Sequence, residues 1–151
     1  MKVVVDTSVL IALSRIGKLD LLRNLFTLVL APRAVAEEYG EPLPGWIKVL
    51  DVKNKQLVRA LLEYLHRGEA EAITLAIETD ANIVILDDKK ARNIARRLGL
   101  KIIGTVGILV LAKKQKLIDD IEAEINHLLQ KSFYLSRDVT TKALEIARKD
   151  C

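Results

Sequence analysis

Residues 2–8 read KVVVDTS, a short run of β-branched apolar side chains that stops at the acid Asp6. A run this brief and this rich in valine is the pattern of a strand covered on both faces. Such strands belong to parallel sheets, whose connecting helices pack above and below them. The pattern returns at residues 83–88, IVILDD, where a second apolar strand runs into Asp87 and Asp88. Two strands far apart in sequence therefore end in carboxylates. In an open parallel sheet the carboxyl ends of the strands share one edge, and ligands gather there.

Working outward from residue 8, Asp6, Thr7 and Ser8 can cap a helix over Val9 to Ser14. A short helix over Leu19 to Leu25 and a strand over Thr27 to Leu30 follow. Pro32 suits the first turn of a helix over Arg33 to Tyr39, because its missing N–H has no partner there anyway. Trp46 to Leu50 reads as a strand. Asn54 caps a helix expected to run from Lys55 to His66, with Gly68 ending it and a further helix over Glu69 to Thr79. Beyond the strand at 83–86 come a basic helix to Leu98, a strand at Lys101 to Ile103 and an apolar helix from Thr105 to near Lys116. Two more helices are expected, roughly Ile118 to Lys131 and Ser136 to Lys149. Short strands alternating with helices predict βαβ units and a mostly parallel sheet of four or five strands. The 151 residues hold no repeat or long linker, so one domain over 1–151 is expected, with the helices of about 118–149 packed on it.

Composition removes several classes of function. The lone cysteine, Cys151, allows no internal disulfide, and His66 and His127 stand far from it, so no Cys/His zinc site can form. No uncharged apolar stretch approaches a membrane span, and Asp6 interrupts the only signal-like run. A cytoplasmic location with no membrane partner is the expectation. No glycine-rich phosphate loop and no Gly-x-Ser-x-Gly elbow occurs, which argues against a nucleotide cofactor and a serine hydrolase.

The acids tell more. Leu30, Ala34, Val35 and Glu38 share a helical face, which turns Glu38 toward the core and Glu37 toward solvent. Glu69 and Glu71 open the helix after Gly68. Glu71 is in register with Leu75 and Glu78, whereas Glu69 fits a first-turn residue favoured by the helix dipole. Carboxylates brought together repel, and burial worsens the repulsion, so a core-facing cluster calls for a bound cation. An all-oxygen site suits Mg²⁺ or Mn²⁺. The net charge of +4 is small, but Lys89, Lys90 and Arg92 follow Asp87-Asp88 directly and can grip a phosphate backbone. Lys113, Lys114 and Lys116 form a second basic group.

Five stretches in this order resemble the PIN-domain family of metal-dependent ribonucleases. They are VVVDTSVL (3–10), APRAVAEE (31–38), GEAEAITLA (68–76), IVILDDKKAR (83–92) and GTVGIL (104–109). The resemblance implies a three-layer α/β/α sandwich with three or four acids around Mg²⁺ or Mn²⁺. By motif, those catalytic and metal-holding acids fall on Asp6, Glu38, Glu71 and either Asp87 or Asp88. Thr7, Ser8, Glu69 and Thr105 are supporting candidates. Glu71 departs from the Asp that many toxin members carry at that place, and Glu69 beside it is its substitute.

The resulting expectation is an Mg²⁺- or Mn²⁺-dependent endoribonuclease acting on single-stranded RNA. It resembles a VapC-type toxin, with an antitoxin protein as partner, or a related prokaryotic subgroup. The competing readings are an RNA- or protein-binding module that cuts nothing and a metal-dependent phosphatase on small molecules. Leu13, Ile16, Leu19 and Leu22 exceed what two short helices need for one buried face, which suggests a homodimer.

Overall fold

The computed structural model describes residues 1–131. The helix expected at Ser136 to Lys149, with the end of the expected domain, lies outside the described residues. Five strands form one sheet: β1 (Lys2–Val5), β2 (Leu28–Pro32), β3 (Ile47–Leu50), β4 (Ile83–Ile85) and β5 (Ile102–Ile103). Their order is β3-β2-β1-β4-β5, and every pairing is parallel. The mostly parallel sheet expected from sequence is thus parallel throughout.

Because side chains alternate across a strand, β1 sends Val3 and Val5 to one face and Val4 to the other. On the first face Val3, Val5, Val29 and Ile85 pack with α1 (Thr7–Arg15), α2 (Leu21–Leu25), α7 (Thr105–Lys114) and α8 (Ile121–Gln130). On the second, Val4, Leu30, Val84 and Leu86 meet α4 (Lys55–Leu61), α5 (Arg67–Glu78) and α6 (Lys89–Arg97). The result is the α/β/α sandwich. A single apolar strand thus anchors two cores.

The chain leaves β1 toward β2 and β3 on one side, and β4 and β5 complete the sheet on the other. The order therefore reverses between β1 and β4, at the point where open parallel sheets open a crevice. Asp6 lies at this point, with its N–H bonded to the Ile85 carbonyl at 3.1 Å. A short helix, α3 (Arg33–Tyr39), follows β2 and touches both α1 and α5 across the same end of the sheet.

Several boundaries differ from expectation, each for a tertiary reason. Helix α1 begins at Thr7, two residues early, and no side chain at Asp6 caps it. Pro32 ends β2 and stands at the N-cap of α3 rather than within its first turn. Helix α4 stops at Leu61, after which the chain turns to bury Leu65 and to start α5 from His66. Gly68 does not end a helix; it lies in the first turn of α5. The four apolar residues read as a dimer face are internal: Leu13, Ile16 and Leu22 are buried and Leu19 packs against the same core. They share this core with residues of α7 and α8, so their apolar character is accounted for within the chain. Among the described residues no helix is long and apolar enough to cross a membrane.

Candidate metal centre at the sheet switch point

Asp6 is the deepest of the acids, 4 % exposed at the end of the central strand. Its backbone is extended (φ −90, ψ 162), as at an N-cap, yet its carboxylate caps nothing. No lysine or arginine among the described residues pairs with it. Burial pushes the Asp6 carboxyl up to about 7 from an ordinary 3.8; the Thr7 backbone N–H offsets part of this, and Glu69, Glu38 and Asp87 add to it. Three other acids therefore surround the first one.

Glu38 reaches this point from the end of α3. Its Oε2 accepts from the Thr7 hydroxyl at 2.7 Å and its Oε1 from the Gly68 N–H at 2.9 Å. The contact explains the glycine: a Cβ at position 68 would lie 2.5 Å from Oε2. Glu38 is exposed at the rim rather than turned to the core as the helical spacing suggested. Glu38 is the second-last residue of the seven-residue α3, where the helix ends before Gly40.

Asp87 arrives from β4 and is held by the start of α7. Its Oδ1 accepts from the Thr105 N–H at 2.7 Å and its Oδ2 from the Thr105 hydroxyl at 2.5 Å. Gly104 gives it room, since a Cβ there would stand 2.7 Å from Oδ1 and push the carboxylate aside. Burial raises the Asp87 carboxyl, while the two bonds from Thr105 and the Arg92 charge pull it back. Asp88 behaves differently. It is exposed, and its Oδ2 caps α6 by accepting from the Ala91 N–H at 2.9 Å. Of the doublet, Asp87 bears on Asp6 and Asp88 on Glu69.

The two glutamates at the start of α5, the motif's Glu71 and its alternative Glu69, divide in the same way. Glu71 is buried at 5 % exposure, but its Oε1 accepts from the Ala34 N–H at 3.1 Å and its Oε2 from Arg67 Nε at 3.2 Å. Arg67 also pairs with Glu37 at 3.2 Å. Glu71 thus ties the start of α3 to α5, with its charge already matched. Glu69 is the one that faces the cleft. Its Oε1 accepts from the His66 N–H at 3.1 Å, and its carboxyl is raised by burial first and then by Asp88 and Glu38. Sequence spacing left Glu69 and Glu71 as alternatives; Arg67, four residues before Glu71, was a readable sign that Glu71 had a partner.

The remaining candidates separate cleanly. Thr7 and Thr105 are buried and orient Glu38 and Asp87. Ser8 is exposed and lines a groove between α1 and α8 with Ile11, Arg15 and Leu128. Lys89 and Lys90 are exposed in the first turn of α6. Arg92 turns inward instead, with its Nε buried and unpartnered and its charge beside Asp87. Lys113 and Lys114 close the ten-residue α7, about 14 Å along the axis from Thr105, so they belong to the far end of the molecule.

A chain of this kind is a three-layer parallel α/β protein with a negatively charged crevice at its topological switch point. The family model described as "DUF3368: PIN domain" matches residues 2–149, and the chain belongs to the PIN-domain family. That family has a nuclease-type fold, and its members typically use divalent metal ions. No curated protein matches the chain significantly.

The donor set suits such an ion in charge and type. Asp6, Glu38, Glu69 and Asp87 offer only oxygen, and they repel one another around a buried carboxylate that has no basic partner. Among the described residues, no group of three or more acidic, His or Cys side chains is already arranged as a ligand cage. The bonds to Thr7, Gly68, His66 and Thr105 set the present directions of these carboxylates. Each carboxylate oxygen has a second lone pair, so these bonds do not use up the donors.

Two stability measurements check this assignment. With the Asp6 carboxyl raised in the folded state, stability is greatest below the unfolded value near 4 and falls as pH rises to about 7. The ionised group costs on the order of 4 kcal/mol. In chelator, Asp6→Asn should therefore be more stable than the parent at pH 8, with the gap closing toward pH 4; denaturant titrations across pH measure it. Glu71→Ala should destabilise the fold by about 1–3 kcal/mol by orphaning the Ala34 N–H, whereas Glu69→Gln should leave the denaturation midpoint unchanged.

Proposed function

We propose that this PIN domain is a divalent-metal-dependent endoribonuclease that hydrolyses phosphodiester bonds of single-stranded RNA. The reading is carried by one observation: Asp6 is buried, Glu38, Glu69 and Asp87 are close enough to raise its carboxyl, and no basic side chain among the described residues pairs with it. Asp6, Glu38, Glu69 and Asp87 would hold Mg²⁺ or Mn²⁺, with Glu69 in the role that the family motif places on Glu71. When bound, such an ion activates water for attack on phosphorus and offsets the charge of the transferring phosphoryl group.

The chain's own residues do the positioning. Thr7 fixes Glu38 against α1, and Thr105 fixes Asp87 through both of its polar groups. Each fixed carboxylate also rests on the amino end of a helix, α5 for Glu38 and α7 for Asp87, where backbone N–H groups favour negative charge. Such anchoring matters because displacement of a reacting group by about 1 Å can cost on the order of 100-fold in rate. Lys89 and Lys90, on the exposed first turn of α6, give the RNA backbone cations next to the acidic crevice. A site of acids alone would repel a polyanion; these lysines counter that repulsion.

Cleavage of a fluorogenic single-stranded oligoribonucleotide should require Mn²⁺ or Mg²⁺ and stop with chelator. Asp6→Asn should abolish it, and Glu69→Gln should lower the rate by more than about 100-fold. Glu71→Gln should retain activity wherever the protein remains folded. Manganese should raise the melting temperature of the parent and not that of Asp6→Asn. RNA binding by the parent with no cleavage under any of these metals would replace the enzyme with a binding module.

A further inference from the structure

We propose that Tyr64 is a stacking platform for a nucleobase of the single-stranded substrate, with Lys90 meeting the adjoining phosphate; the inference rests on the nuclease reading above. Tyr64 lies in the turn between α4 and α5, outside every motif that the sequence singled out. It is 59 % exposed, and it is the only aromatic among the strongly exposed large apolar side chains of the described residues. Single exposed apolar residues are ordinary on protein surfaces. The position of this one is what matters.

Tyr64 stands two residues before His66, whose backbone N–H holds Glu69, and four before Gly68, whose N–H holds Glu38. Across from it, Lys90 places its ammonium 5.7 Å from the centre of the Tyr64 ring. Lys90 belongs to the first turn of α6, two residues beyond Asp88 and three beyond Asp87. The ring and the cation are therefore carried by the two segments that bring Glu69 and Asp87 to the crevice. Their contact joins those two segments at the protein surface, where both side chains are exposed.

The pair fits one kind of ligand. Successive groups along a single strand are a flat π-face and a phosphate, and an exposed aromatic ring beside a lysine offers a partner to each. Lysine is a compact, strongly hydrated cation on a flexible stem, so it can remain near the ring while reaching a phosphate. A base inside a duplex has both faces covered by its neighbours and cannot use Tyr64 in this way. The rim would thus favour unpaired RNA before any sequence is read.

The test measures binding in the Asp6→Asn background, which cannot cut its ligand on the reading above. The probe is a short single-stranded oligoribonucleotide carrying 2-aminopurine, compared with the same strand in a duplex. Tyr64→Ala should weaken single-strand binding on the order of tenfold or more and abolish the quenching of 2-aminopurine, while Tyr64→Phe retains both. Its melting temperature should match that of the background protein, as expected for an exposed ring. Lys90→Ala should reduce the slope of log affinity against log salt by about one contact. Equal single-strand affinity for Tyr64→Ala, or an equal loss on the duplex, overturns the stacking role. If the parent cleaves RNA in the same series, the nuclease reading survives that result; if the parent neither cleaves nor binds RNA, both fall together.

Discussion

The carboxylate of Asp6 is buried at the end of the strand on which both cores are built, and no basic side chain among the described residues answers it. Around it the chain sets Glu38, Glu69 and Asp87, each brought by a different element: the end of α3, the start of α5 and the exit from β4. Desolvation and mutual repulsion both oppose this arrangement. A fold that only had to be stable could place asparagine or serine at position 6 and still cap α1. That it holds an acid there, and leaves the cap unmade, separates the local requirement of the helix from that of the site.

The surrounding chemistry is organised to bear this repulsion. Glu38 and Asp87 are each fixed by a hydroxyl and a backbone N–H, and in both cases the N–H opens a helix. A glycine accompanies each contact, and a Cβ at either position would push the carboxylate from its present place. Gly68 and Gly104 thus have a shared purpose that neither turn chemistry nor helix termination expresses. They seat anions on helix amino ends. These carboxylates are oriented mainly by hydrogen bonds from the frame, with the Arg92 charge beside Asp87 as an added attraction.

Much of the frame was legible in sequence because it depends on short-range pattern. Apolar runs such as residues 2–5 and 83–86 can be buried only as strands between helix layers, and their closing acids must then share an edge. Asp6 and the Asp87-Asp88 pair follow from that rule without any contact being known, although the rule does not choose between the two. What was not legible depends on which side of a helix looks where. Helix α5 is buried over Ala70 to Ala76 against the sheet and α3 together, so periodicity could not tell the cleft face from the α3 face. Glu71 accordingly read as the site acid and Glu69 as a dipole partner. Leu13, Ile16 and Leu22 read as surplus because nothing local reveals that they will share a core with α7 and α8. Tyr64 carried no signal, since the helix expected over Lys55 to His66 in fact stops at Leu61 and leaves it in a turn.

The two acidic doublets show the same logic from opposite elements. In Asp87-Asp88 one carboxylate enters the crevice and the other caps α6; in Glu69-x-Glu71 one faces the crevice and the other clamps α3. Each site-facing acid is therefore one or two residues from an acid whose hydrogen bonds fix that stretch of backbone. Cap and clamp restrict the helix starts from which Glu69 and Asp87 project, so their positions do not depend on the repulsion that the crevice itself generates. Were the supporting acids absent, relief of that repulsion could move the helix starts apart and scatter the site. Structural acids placed beside functional ones prevent this, and they make an acidic motif read from sequence ambiguous by one or two residues.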